Sequence, residues 1–225
     1  MALFDREASQ YDDFFATPLG AFVDAVEKRA LFEALSDVHG ARVLEVGAGT
    51  GTLTLELARR GARVTAIDIS EVMLEEAQEK AKKESLTIEF RRMNAHALDF
   101  KDETFDIVVS MATFEFLGAP GVAYAAMRRV VKPGGHIFIG TINALGEWAA
   151  LYHSEAFKDT VFKHADFLSE AKLRALDPSQ CLNVRHTLFT PPGAPENALT
   201  TDNEALHEKE KTEGGFLWAH FQKHQ

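Results

Sequence analysis

Glu45, Gly47, Gly49, Gly51 and Asp68 are the residues whose types and spacing point most directly to chemistry. The first four close the stretch A-R-V-L-E-V-G-A-G-T-G, residues 41–51, where a short apolar run ends in glycines at every second position. A buried strand that opens through a glycine turn onto a helix is where an open α/β sheet binds a nucleotide-like ligand. A side chain in that turn would hold the ligand away from the backbone. A dinucleotide fingerprint, counted from Gly47, needs its third glycine where this chain has Thr52. Glu45 would also repel a pyrophosphate, and it suits a ligand carrying positive charge. Asp68 ends a second apolar run on the same sheet edge, where a carboxylate accepts hydrogen bonds from both hydroxyls of a ribose. The set calls for a ribose, close backbone contact and a cationic group.

Candidates for proton transfer are fewer. Glu115, between two phenylalanines in T-F-E-F-L, is either a base or a solvent-facing acid. His153 and His164 lie in an aromatic stretch and are proton acceptors or ordinary surface histidines. The nine histidines include no H-E-x-x-H spacing, and Cys181 is the only cysteine, so no metal is expected. Trp148, Tyr152, Phe162 and Phe167 line an aromatic substrate pocket or pack a core. Phe15 and Phe114 are further candidates for contact with a substrate.

These residues need a scaffold. Strands are expected at residues 41–46, 63–69, 86–92, 104–110 and 136–141, alternating with helices that include residues 121–131, which Pro133-Gly134-Gly135 should stop. Such alternation over about a hundred residues predicts a parallel sheet with helices on both faces. Before it, Thr17-Pro18 starts an amphipathic helix expected to reach Gly40. The aromatics ahead of that helix, Tyr11, Phe14 and Phe15, suit a lid over the ligand. After it come a helical aromatic insertion, a short helix from Ser169, a strand at 182–190, an exposed helix at 202–213 and a last strand at 216–221.

The set V-L-E-V-G-A-G-T-G, A-I-D-I-S, T-F-D-I-V-V-S and R-V-V-K-P-G-G resembles the class I S-adenosylmethionine-dependent methyltransferases. Within them it is most similar to the small-molecule group that includes ubiquinone- and menaquinone-biosynthesis enzymes. The resemblance is good over residues 5–142 and beyond that lies in layout alone. It implies a Rossmann-like α/β fold: a seven-stranded, mostly parallel sheet with an antiparallel last strand, an N-terminal helical lid and a small helical insertion after strand 5. Residues 1–225 would be a single domain, divided into a helical cap (1–40), a cofactor-binding core (41–142), a substrate-side insertion (143–181) and closing strands (182–225). The cofactor implied is S-adenosylmethionine, with S-adenosylhomocysteine as product. Glu45, Gly47, Ala48 and Gly49 would line its methionine moiety, Asp68 its ribose, and Ile69 and Met73 its adenine. Asn94, Ala95 and His96 form the loop where the family usually has an acid for the adenine amino group, and the Asn94 carbonyl would stand in for it. Ser110, Met111 and Ala112 would flank the sulfonium, and Tyr11 would close over the ligand.

A formal net charge of −10 disfavours nucleic acid, whose partners usually present a basic face. No N-P-P-Y or D-P-P-Y tetrapeptide follows the fourth strand, so a small-molecule acceptor is expected. No apolar run is long enough for a membrane span, and the first residues do not read as a signal peptide, so a cytoplasmic protein, monomer or homodimer, is expected. Two other classes stay open: a module that binds the cofactor without methyl transfer, and a nicotinamide-dependent oxidoreductase, against which Thr52 and Glu45 argue.

Overall fold

The computed structural model describes residues 2–5, 8–35 and 37–224. Seven strands form one sheet in the order β3-β2-β1-β4-β5-β7-β6. The strands are β1 (Arg42–Val46), β2 (Arg63–Asp68), β3 (Glu89–Arg92), β4 (Phe105–Met111), β5 (Val131–Ile142), β6 (Cys181–Thr187) and β7 (Phe216–Gln222). β1 to β5 pair in parallel, and β7 runs antiparallel to both β5 and β6. Val43, Leu44, Val108 and Val109 have no exposed surface, as continuous apolar strands covered on both faces require.

The strand order reverses direction at β1, so β2 and β4 flank it and the loops after all three open at the same edge. That edge is the topological switch point where open α/β sheets bind ligands. Two helices lead into the sheet: α1 (Ala8–Phe15) and α2 (Pro18–Leu35). The Thr17 hydroxyl accepts from the Gly20 amide at 3.0 Å, the cap its sequence predicts. Leu31 and Leu35 of α2 pack on Val43 and Phe138, which buries one face of the sheet. α3 (Thr52–Arg59) and α4 (Glu71–Lys83) follow β1 and β2, and α5 (Pro120–Val130) precedes β5. Its buried Tyr124, Met127 and Val130 cover the opposite face. The insertion holds α6 (Glu147–Tyr152), two 3-10 turns and α7 (Glu170–Arg174), and α8 (Thr201–Glu210) precedes β7.

Several expectations differ, among them the end of the sixth strand, which is Thr187 rather than residue 190. α2 ends at Leu35 rather than Gly40, and β3 begins at Glu89 rather than residue 86. The Pro-Gly-Gly run does not stop α5, because Val131 is already extended and begins β5. The run instead fills an irregularity where the partner of β4 jumps from Val131 to His136. α8 is not simply exposed: Glu204 is buried and accepts from the Phe189 and Thr190 amides at 2.7 and 2.8 Å. The sequence pattern hides this because one inward acid on a charged helix has no periodicity.

Candidate cofactor and acceptor site

Each glycine of the turn after β1 has a different reason. The Gly47 and Ala48 amides both donate to the Ile67 carbonyl at 2.9 Å, which folds the turn against β2. Gly47 has φ +79°, and a Cβ there would lie 2.2 Å from Thr113 Oγ1, so the loop after β4 enforces this glycine. A Cβ on Gly51 would meet the Ala77 methyl at 2.8 Å, so this glycine lets α3 and α4 approach. Helix packing, the role of the third glycine of a dinucleotide loop, is thus filled one residue early. Only Gly49 faces open space, with nothing within 4 Å of where its Cβ would sit.

Asp68 Oδ2 accepts from the Gly49 amide at 2.9 Å, and Oδ1 accepts from the Ser70 amide at 2.8 Å. The turn, the carboxylate and the Ser70 cap of α4 therefore form one rigid cradle. Burial raises the pKa of Asp68, against the lowering effect of these amides. Below the cradle, Glu45 is 3% exposed and accepts from the Thr54 hydroxyl. Burial pushes its carboxyl up to about 8, with Thr54 and Lys28 opposing the shift.

A cavity of about 490 Å³ opens on this cradle, a volume typical of small-ligand sites. Glu45, Gly47, Ala48, Gly49 and Asp68 line it, as do Ile69 and Met73 from the start of α4. Asn94, Ala95 and His96 border it after β3, and Met111 after β4. The Asn94 side chain is not directed as expected. Its Oδ1 accepts from the His96 amide at 2.9 Å and lies 2.9 Å from His96 Nδ1, so a local turn occupies the carbonyl meant for adenine. Ser110 is likewise engaged elsewhere: it is fully buried and donates to the Val46 carbonyl at 2.8 Å, tying β4 to β1.

Across the cavity stand Tyr11 and Phe15 of α1, with Phe4 and Phe116. Phe4 packs edge-on against Phe116, centroids 4.9 Å apart. Two polar contacts fasten this cover: Ser70 Oγ donates to Asp5 at 2.6 Å, and Thr50 Oγ1 to Asp12 at 2.7 Å. Asp24, Glu27 and Lys28 of α2 also line the cavity. Lys28 Nζ lies 2.6 Å from Asp24 and is the one lysine or arginine among the described lining residues. The sequence reading missed these three. Their signal was present, since positions 24, 27 and 28 share one helix face at i, i+3 and i+4.

The remaining candidates lie away from the cavity wall. Phe114 is 1% exposed in the core, because the 3-10 turn Phe114–Phe116 points its first ring inward and its third toward the cavity. Trp148 is also core: its indole donates to the Thr190 carbonyl at 3.0 Å, and it covers Gly215 so closely that a Cβ there would meet the ring. Tyr152 stacks on Phe162 with ring centroids 4.0 Å apart, outside the lining, and burial raises the pKa of its hydroxyl. Glu115 is 1% exposed and accepts from Thr141 Oγ1 at 3.1 Å, and burial raises it to about 7. His153 is exposed and stacks on Phe167, and His164 is exposed. Among the described residues no group of three or more His, Cys, Asp or Glu is arranged to hold a metal ion, and no helix is long and apolar enough to cross a membrane.

A seven-stranded, mostly parallel sheet of this order, with a glycine turn and an aspartate at its switch point, is the Rossmann-like α/β fold of methyltransferases. Comparison with known proteins agrees. The family described as "Methyltransferase domain" matches residues 44–139. A phosphatidylethanolamine N-methyltransferase of Cereibacter sphaeroides is 41% identical over 139 residues, 60% of this chain and 68% of the relative. A ubiquinone biosynthesis O-methyltransferase of Methylococcus capsulatus is 38% identical over 112 residues, 49% of this chain and 47% of the relative. The chain thus spans about half the length of the ubiquinone-biosynthesis relatives it matches. Among solved structures, a SAM-dependent methyltransferase of Thermotoga maritima superposes with TM-score 0.74 at 22% identity, over 98% of each chain. A phosphoethanolamine N-methyltransferase 2 of Haemonchus contortus, in complex with phosphomonomethylethanolamine and S-adenosylhomocysteine, superposes with TM-score 0.71 at 18% identity, over 98% of this chain and 58% of that one. The chain belongs to the class I S-adenosylmethionine-dependent methyltransferase family.

Proposed function

We propose that this chain transfers a methyl group from S-adenosylmethionine to a small-molecule acceptor. The observation that carries the reading is the cradle itself: Gly49 open to the cavity, Asp68 locked beside it, and buried Glu45 beneath. A Cβ at Gly49 would occupy the space a ribosyl group needs. When bound, S-adenosylmethionine supplies an activated methyl group on a sulfonium. Asp68 accepts from the ribose hydroxyls, Ile69 and Met73 pack on the adenine, and Met111 and Ala112 border the sulfonium. Glu45 faces the ammonium. The lid of α1 excludes water, and orientation of the acceptor supplies the bulk of the rate, on the order of 7–11 kcal/mol in favourable cases. We read residues 1–225 as one methyltransferase domain acting in the cytoplasm.

Titration calorimetry tests the cofactor. S-adenosylmethionine and S-adenosylhomocysteine should bind and NAD should not. NAD binding without response to the other two would support an oxidoreductase and overturn this reading. Binding of both sulfur ligands with no turnover of any acceptor would mark a cofactor-binding module.

A further inference from the structure

Four carboxyls line the cavity: Asp24, Glu27, Glu45 and Asp68. Three have partners. Asp24 holds Lys28, Glu45 holds the Thr54 hydroxyl, and Asp68 holds two amides. Glu27 is different: among the described residues nothing donates a hydrogen bond to its carboxyl. It lines the cavity from α2, the helix that also carries Asp24 and Lys28. The charges it feels are those of Asp24, Glu115 and Lys28, and it acts in turn on the Tyr11 and Tyr152 hydroxyls. Tyr11 and Phe15 border the same space with their rings. No lysine or arginine among the described lining residues remains free to hold an anion, since Lys28 is paired.

We infer that the acceptor is a small molecule bearing a primary or secondary amine, bound as its ammonium between Glu27 and the rings of Tyr11 and Phe15. This inference rests on the methyl-transfer reading above. An unpartnered carboxyl inside an aromatic wall is the chemistry that recognises an organic cation, through one charge-assisted hydrogen bond and ring faces. A carboxylate or phosphate acceptor would meet Glu27 with no free cation among the described lining residues to offset the repulsion, and a phenol would have to develop phenolate charge beside Glu27. The step balances without another reagent. The ammonium gives one proton to the Glu27 carboxylate, and the freed nitrogen lone pair forms the N–C bond to the methyl group. The C–S bond breaks with its electron pair on sulfur, and the product leaves as a methylated ammonium while Glu27 passes its proton to water. Burial holds the Glu27 pKa well above the ordinary carboxyl value, which makes it a better proton acceptor than a surface glutamate.

The test uses the full chain saturated with S-adenosylhomocysteine and titrated with 2-phenylethylamine, phenylacetate and 4-methylphenol. The amine should bind and the other two should not. Glu27→Gln should weaken amine binding at least tenfold while leaving S-adenosylhomocysteine affinity within twofold, and Glu27→Asp should restore part of the loss. With tyramine as acceptor, mass spectrometry of the product should find the methyl group on nitrogen. Preferential binding of phenylacetate or 4-methylphenol, no binding of the amine, an unmoved amine affinity in Glu27→Gln, or O-methylation of tyramine would each overturn the proposal while leaving the methyl-transfer reading standing. Absence of S-adenosylhomocysteine binding in the wild type would remove both.

Discussion

Gly47 and Gly49 look equivalent in sequence and are not. Gly47→Ala drives a methyl into Thr113 at a positive φ, and should cost about 2–4 kcal/mol of stability. Gly49→Ala bears only the left-handed backbone penalty, about 1–2 kcal/mol, because its methyl enters open cavity. Thermal unfolding should therefore fall far more for Gly47→Ala, whereas calorimetry should find S-adenosylhomocysteine binding lost at least tenfold in a folded Gly49→Ala. Asp68→Ala removes a carboxylate whose two oxygens already fix the turn. It should weaken S-adenosylhomocysteine binding by about 1.5–3 kcal/mol, roughly ten- to a hundredfold, and unchanged affinity would sink the ribose assignment. The glycine spacing and Asp68 were legible because strand periodicity and a turn express themselves locally. The Asn94 turn and the Ser110 bond to Val46 were not, because each depends on which neighbour a short polar side chain finds in space.

The element that gives the cavity its far wall is α1 with the segment before it. Of the aromatics expected to cover the ligand, Tyr11 and Phe15 border the cavity and Phe14 is exposed, and the acids that fasten this segment were not expected. Asp12 and Thr50 are 38 residues apart, and no spacing rule joins them. Asp12 also pairs with Lys80 of α4, so one side chain ties the lid to the glycine turn and to a helix of the core. Asp12→Ala should leave the global unfolding temperature nearly unchanged, because such half-exposed contacts contribute about 1 kcal/mol or less. It should speed limited proteolysis near residues 8–15, and added S-adenosylhomocysteine should slow that cleavage again. Equal cleavage rates in the variant and the wild type would show that the clasp does not hold the lid. α2 taught the reverse lesson: its apolar stripe was plain, and the polar residues beside the stripe, Asp24, Glu27 and Lys28, turned out to be the ones that face the ligand space.

On the scale of the molecule, buried titratable groups set the pH response: burial raises the carboxyls of Glu27, Glu45 and Glu115 and lowers the imidazoles of His136 and His220. Glu45 and Glu115 titrate at about 8 and about 7, against 4.5 for an unhindered glutamate. Between 4.5 and those values the unfolded chain has released protons that the folded chain still holds, so stability falls as pH rises and levels off above about 8. Acids held low by partners, such as Asp106 beside Lys132, act in the opposite direction below the ordinary carboxyl range. Buried His220, lowered to about 4, opposes the trend between about 4 and 6.5 without outweighing the two raised glutamates. Scanning calorimetry should give a higher unfolding temperature at pH 5.5 than at pH 8.5. An ammonium placed against Glu45 favours its ionised form, so S-adenosylhomocysteine binding at pH 7 should release protons, read as a buffer-dependent binding enthalpy. A flat profile in both measurements would mean that Glu45 is already ionised in the empty protein.

β7 lies between β5 and β6, yet it follows both in the chain. A ribosome therefore delivers β6 before the only strand that can attach it to the sheet exists. Its backbone donors and acceptors must wait through the 28 residues that separate Thr187 from Phe216, and β6 and β7 then dock on β5 together. The half of the sheet that carries Asp68 and the glycine turn takes no strand pairing from β6 or β7, although Trp218 and Leu217 of β7 later complete its core. During synthesis, the backbone pairing of β2, β1 and β4 around the glycine turn can form while the opposite edge is still unfinished, and the exposed flank of β5 is the surface a chaperone would have to shield in the interval.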